Sequence, residues 1–131
     1  MNIFTFPIRV YYEDTDASGV VYHANYLRYF ERARSEWVRE RGLDQERLRI
    51  EQGLAFTVAS LSVEYLRPAR LGDELTASVE VKQRKRASLI FQQRLHLSQN
   101  TQEILAIAEV RVACVSCLDF KPKPLPTTLF T

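Results

Sequence analysis

The sequence predicts an α+β fold, and three observations carry that prediction. A stretch near the middle alternates apolar and polar residues strictly, a segment near the start repeats its apolar residues every three to four positions, and the two patterns occupy separate parts of the chain. Strand periodicity returns four times after the helical part ends, which is the order of an α+β domain rather than of alternating βαβ units.

The opening "NIFTFPIRVYY" is rich in β-forming residues and predicts a strand over 2–12, with Pro7 requiring a sheet edge or a bulge. A reversal follows at "DASG", where Asp16 and Gly19 hold the first and fourth positions of a type I turn. From about Tyr22 the period changes. Tyr26, Phe30, Ala33 and Trp37 recur on one face while Arg28, Arg32, Glu36 and Arg39 fall elsewhere, predicting one long amphipathic helix. It should stop near Arg41, because Gly42 suits the residue after a helix and Arg39 and Arg41 complement the negative end of the dipole. "DQERLRIEQG" then predicts a short second helix, capped by Asp44 and closed by Gly53.

Everything after Gly53 is β in pattern. In "ELTASVEV" Leu75, Ala77, Val79 and Val81 share one face and Thr76, Ser78, Glu80 and Lys82 the other. Strands are predicted over 54–67, 73–84, 87–98 and 102–117, broken at "RPARLGD", "KRA" and "SQNTQ". The last two breaks are short enough for tight antiparallel reversals, so the final three strands should pair in sequence order. One helix covers little of a five-stranded sheet. The exposed faces and edges predict association, with two sheets joined edge to edge.

Composition bounds the function. The 131 residues, 46% of them apolar, suit one compact domain over 1–131, and four Gly and five Pro are too few for a linker-rich chain. A net charge of +2, from 18 basic and 16 acidic residues, gives no field strong enough to recruit nucleic acid or an anionic membrane. The opening lacks the basic and apolar regions of a signal peptide, and no run is long enough for a membrane span, which predicts a cytoplasmic protein. Cys114 and Cys117 have redox spacing but end a β-like run, where residues three apart face opposite sides; they read as two ordinary strand cysteines.

The segments "RVYYEDTDASGVVYHANYLRYFERAR" and "VEYLRPARLGDEL", with "AEVRVACV" and the "KPKPLP" tail, resemble the hotdog-fold acyl-CoA thioesterases, specifically the 4-hydroxybenzoyl-CoA thioesterase family and its Tol-Pal-associated branch. The resemblance spans nearly the whole chain. It implies a five-stranded antiparallel sheet wrapped around one long central helix, dimers or tetramers with shared active sites, and hydrolysis of acyl-CoA to a carboxylic acid and coenzyme A. Acyl carrier protein, engaged through the basic face, is a candidate partner.

Chemistry agrees with that expectation. Thioester hydrolysis needs a carboxylate to attack the carbonyl or deprotonate water, and donors where the oxyanion develops. A turn ending at a helix N-terminus supplies both. By resemblance, Asp16 is the carboxylate and the His23 backbone N–H the oxyanion donor. The plainer reading of Asp16 is a residue that stabilises its own turn. The His23 ring and Tyr12 are further catalytic candidates, against ordinary roles as a surface histidine and a core tyrosine, and Asn25 is a candidate to cap the helix or steady the site.

Glu13 and Asp14 are expected as solvated acids. Arg84, Lys85, Arg86 and Ser88, at a strand reversal, are candidates for holding the nucleotide of coenzyme A, against a solvated hairpin tip. Glu64 either reaches the site across a dimer or pairs with Arg67 or Arg70. Asp14, Asp16 and His23 lack a second His or Cys at zinc spacing, so no metal is expected, and no cofactor beyond the coenzyme A of the substrate. Two rivals share these features: a non-catalytic module binding acyl-CoA or acyl carrier protein, and a hydratase acting on an enoyl thioester.

Overall fold

The computed structural model describes residues 3–130. Five antiparallel strands form one sheet in the order β1-β3-β4-β5-β2, from β1 (Phe4–Arg9), β2 (Leu54–Tyr65), β3 (Glu74–Arg84), β4 (Ser88–Leu97) and β5 (Asn100–Ser116). The last three strands pair in sequence order through the two tight reversals, as the spacing predicts. β1 pairs only with β3, so Pro7 lies on an edge strand, where its missing N–H costs no ladder bond.

The first strand ends earlier than its composition suggests. Residue 2 lies outside the described residues, and the ladder stops at Arg9 because Asp14 diverts the chain: its carboxylate accepts the Tyr11 N–H at 2.8 Å and its own N–H bonds the Tyr11 carbonyl at 3.0 Å. A short 3-10 turn over Tyr12–Asp14 results.

The helical layer is α1 (Asn25–Glu40) and α2 (Gln45–Gln52), a long and a short helix where the sequence predicts them; α1 is 16 residues and begins three residues after Tyr22. Gly42, at φ +84°, breaks the rod, and its N–H closes on the Arg39 carbonyl at 2.9 Å. Arg41 folds back to lie 4.1 Å from the centre of the Trp37 ring. In α2 the Asp44 side chain accepts the N–H groups of Glu46 and Arg47, and Gly53 ends the helix in the left-handed region.

Tyr26, Tyr29, Phe30, Ala33, Trp37 and Val38 of α1 are buried, and so are Leu75, Ala77 and Val79 of β3 with Phe91, Leu95 and Val110 behind them. These residues form one core, in which Trp37 meets Phe91 edge to face at 5.1 Å between ring centres. Burying each large side chain of this kind contributes roughly 1.5–3 kcal/mol, which is what holds a 16-residue amphipathic helix on the sheet. Cys114 is buried within β5 and Cys117 lies just beyond its end, both as free thiols.

Candidate active site

Between β1 and α1 the chain folds into a small irregular hairpin. Asp16 N–H donates to the Val20 carbonyl, Gly19 N–H to the Asp16 carbonyl at 3.0 Å, and Thr15 bridges Val21. Gly19, at φ +83°, closes the expected turn with a backbone that other residues rarely adopt. The Asp16 carboxylate is exposed and accepts the N–H (2.9 Å) and hydroxyl of Ser18. These bonds, with His23 acting electrostatically, hold its carboxyl below the ordinary aspartate range, so it is ionised at neutral pH. Within one protomer Asp16 therefore does stabilise its own turn, and its outer face is open to an incoming molecule.

The start of α1 decides between the two expected roles of Asn25. The N–H groups of Asn25, Tyr26 and Leu27 are taken by the carbonyls of Tyr22, His23 and Ala24, a tightened turn preceding the helix proper. The free donors are displaced upstream, and among the described residues the His23 and Ala24 N–H groups have no partner. Asn25 does not cap. Its side-chain amide instead reaches back to Asp14 Oδ1 at 2.7 Å.

Asp14, expected as a solvated acid, is 7% exposed. Its two oxygens take the Tyr11 N–H and the Asn25 amide, and its carbonyl takes the Tyr22 N–H at 2.9 Å. One residue thus ties the end of β1 to the start of α1, with the Asp16 turn held between. The buried Tyr29 hydroxyl lies against this pair without a well-formed hydrogen bond; burial first, then the Asp14 carboxylate, push its proton loss far above the usual tyrosine range.

Tyr65, at the end of β2, is a site residue that sequence reasoning passed over. Its hydroxyl donates to the His23 carbonyl at 2.9 Å and its ring packs edge-on against Tyr26 and His23. The bond holds the peptide joining His23 to Ala24, which carries one of the free donors. A contact spanning 42 residues leaves no local pattern to read.

The remaining candidates lie elsewhere. Tyr12 is 82% exposed, not in the core, and among the described residues its hydroxyl makes no bond to Asp16. Glu64 is exposed and joins neither arginine: Arg67 pairs with Glu103, and Arg70 N–H is bonded by Asp73. Lys85 and Arg86 are exposed at the β3–β4 reversal, Ser88 is buried, and the Arg84 guanidinium stacks 3.7 Å from the centre of the Phe130 ring.

β3 is an 11-residue strand, roughly 33 Å long, whose first residue pairs with the end of β1 beside the Asp16 hairpin. The basic loop stands at its other end, so one protomer does not bring Arg84–Ser88 to Asp16. Among the described residues no three His, Cys, Asp or Glu side chains cluster as metal ligands, and no helix is long and apolar enough to cross a membrane.

Residues 10–129 match the family model of the Thioesterase-like superfamily. The chain is 50% identical over 125 residues to the acyl-CoA thioesterase YbgC of Haemophilus influenzae, covering 95% of this chain and 90% of that protein. It is 46% identical over 128 residues to the acyl-CoA thioester hydrolase YbgC of Escherichia coli O157:H7, covering 98% and 93%. Among solved structures, Slr0204, a 1,4-dihydroxy-2-naphthoyl-CoA thioesterase from Synechocystis, superposes with a TM-score of 0.88 at 26% identity, over 97% of this chain and 92% of that one.

Proposed function

The chain belongs to the thioesterase-like superfamily, and from that premise we propose how the hairpin and helix start described above carry out its reaction. The protein is an acyl-CoA thioester hydrolase, releasing a carboxylic acid and coenzyme A, in line with the names of relatives that share 46–50% of its residues over nearly its whole length. Water supplies the oxygen of the acid and one proton of the released thiol, so no cofactor is needed.

In this reading Asp16 is the reacting carboxylate and the N–H of His23 stabilises the oxyanion. The observation that carries it is the pairing of an ionised, outward-facing carboxylate with uncommitted N–H groups at the electropositive end of α1. Asp16 acts either on water, taking its proton as sulfur departs, or directly on the carbonyl carbon, forming an anhydride that water then opens. The His23 ring and Tyr12 are the candidates to orient the thioester. Arg84, Lys85 and Arg86 supply cations for the nucleotide phosphates, and Ser88 sets the shape of that loop from beneath.

The same reading assigns the chain to the Tol-Pal-associated branch on its "EDTDASGVVYH" segment and takes the sheet to curl around α1 as in other hotdog folds. It makes the protein a cytoplasmic homodimer or homotetramer, since β2 leaves a sheet edge open. Acyl carrier protein is a second carrier whose thioester the site would accept.

A thiol-release assay over a panel of acyl-CoAs tests the proposal. The expected result is turnover that Asp16→Asn lowers by about 10²-fold or more, with folding intact because the side chain is exposed. Undiminished kinetics in that variant would reject Asp16. Binding without released thiol would favour a carrier-binding module, and loss of enoyl absorbance without thiol would favour a hydratase.

A further inference from the structure

Past the end of β5 the chain reverses over 116–121 and returns alongside the strand it has just left. Phe120 N–H donates to the Ser116 carbonyl and Lys123 N–H to the Cys114 carbonyl, both at 2.8 Å, and Val115 bridges Pro122. Cys117 N–H bonds the Gly53 carbonyl at 2.8 Å, which ties the turn to the end of α2. Leu125, buried, gives its N–H to the Arg86 carbonyl at 2.8 Å. The reversal is therefore held by β5, by α2 and by the β3–β4 loop.

What this fixed turn displays is apolar. Leu118 is 97% exposed, more than any other large apolar residue described, and Phe120 is 67% exposed. Phe120 also sits at φ +58°, the only residue other than glycine in the left-handed region among those described. A bulky side chain is strained there, where glycine or asparagine would close the turn freely, and neither exposed side chain recovers that cost by packing. Strain that surrounding bonds hold in place points to a use. The ground around the tip is basic. Lys121 and Lys123 are exposed and join no ion pair among the described residues, and the Leu125 bond brings Arg86 and its neighbour Lys85 beside them. Asp119 is the one acid over 112–131, and its Oδ1 is taken by the Lys121 N–H at 3.1 Å. The net charge of +2 sets no field for the whole molecule; this excess is local.

We propose that this turn is a docking tip for an anionic lipid bilayer, in which Leu118 and Phe120 enter the boundary between headgroups and acyl chains while Lys121 and Lys123 meet the phosphates. Two such side chains offer a few hundred Å² at most, well below the roughly 800 Å² per partner of a stable protein interface. A fluid surface closes around a protruding tip without needing a matching shape, and nearby lysines add attraction to acidic headgroups. An apolar insertion or a basic pair alone holds a protein weakly, whereas the two together give attachment that is firm and still reversible.

Co-sedimentation of the full chain with vesicles tests it, comparing phosphatidylcholine alone with a mixture of phosphatidylcholine and phosphatidylglycerol. Wild type is expected on the anionic vesicles and not on the neutral ones, with binding that falls as salt rises. Leu118→Ser and Phe120→Gly should each lower the partition about tenfold, and K121E/K123E by about tenfold or more. Phe120→Gly also relieves the left-handed backbone, so its urea midpoint is expected at or above that of wild type while its lipid binding is lost, a combination that misfolding does not produce. Turnover on acyl-CoA in solution should stay at the wild-type level in Leu118→Ser and Phe120→Gly. A wild type that ignores anionic vesicles, equal binding to neutral ones, or partition that survives both substitutions overturns the proposal. Binding that saturating coenzyme A abolishes belongs to the Arg84, Lys85 and Arg86 loop and overturns it as well. An oligomer that Leu118→Ser dissociates gives the tip to a second copy, and capture of acyl carrier protein that Leu118→Ser abolishes gives it to a protein partner; either result overturns the lipid assignment.

Discussion

Asn25, the first residue of α1, donates its side-chain amide to Asp14 Oδ1 at 2.7 Å, and the same carboxylate accepts the Tyr11 N–H at 2.8 Å. The pair fixes the distance between a strand end and a helix start, and with it the relation of Asp16 to the His23 N–H. Replacing Asn25 with Ala leaves a buried carboxylate short of a donor. A destabilisation of about 1–3 kcal/mol is expected, read as a lower urea midpoint with an unchanged slope. Turnover should fall with it, even at temperatures where the variant is fully folded.

With Asp16 as the proposed reacting carboxylate, Ser18 is expected to set the acid limit of activity. Its hydroxyl and N–H lower the Asp16 pKa beneath 3.8, so the carboxylate stays ionised through the mildly acid range. Stabilisation from such a depressed group is present above the unfolded-state pKa and disappears as pH falls through the folded one. The acid limb of kcat/KM is therefore expected below the ordinary aspartate value. Ser18→Ala should move that limb upward, a shift that a pH–rate profile reads directly.

Tyr65→Phe removes one hydroxyl and keeps the ring edge-on against Tyr26 and His23. The lost bond to the His23 carbonyl corresponds to about 0.5–1.5 kcal/mol, or roughly a 2–12-fold fall in kcat, if it serves to aim the free donors at the helix start. KM should change little, since the hydroxyl is already engaged by the protein. Single-turnover measurements separate the two.

The basic loop is a binding element in this reading and should behave as one. Substituting Arg84, Lys85 and Arg86 together by Ala is expected to raise KM for acyl-CoA about tenfold or more, with kcat retained and the salt dependence flattened. An acyl-pantetheine substrate, which lacks the nucleotide, should be indifferent to the same change. Equal losses on both substrates would remove the loop from the site.

The fold was legible because its elements are periodic or punctuated. Leu75, Ala77 and Val79 alternate, Tyr26, Phe30, Ala33 and Trp37 recur at helical spacing, and Asp44 and Gly53 bracket α2 by capping chemistry that acts locally. The site was only half legible for the converse reason. Asp14 and Asp16 stand two residues apart in an irregular turn, where no period distinguishes the buried acid from the exposed one. Asn25 carries the best capping propensity at its position, yet a tertiary acceptor outbids the local one. Tyr65 is joined to His23 only by the folded sheet. The separation of the basic loop from Asp16 follows from the pairing of β1 with the start of β3, which hydrophobic pattern alone does not specify.

Gln93 has a consequence of its own. It is a fully enclosed amide in an otherwise oily layer, gripping the Phe30 carbonyl with one end and Arg34 with the other. Grease tolerates rotation, but this latch engages at a single angle: sliding the rod by one residue would swing its face by about 100° and leave both ends of the amide dangling. The sheet thereby clocks the helix, and whatever that helix aims at its two ends is aimed by a glutamine that never touches it.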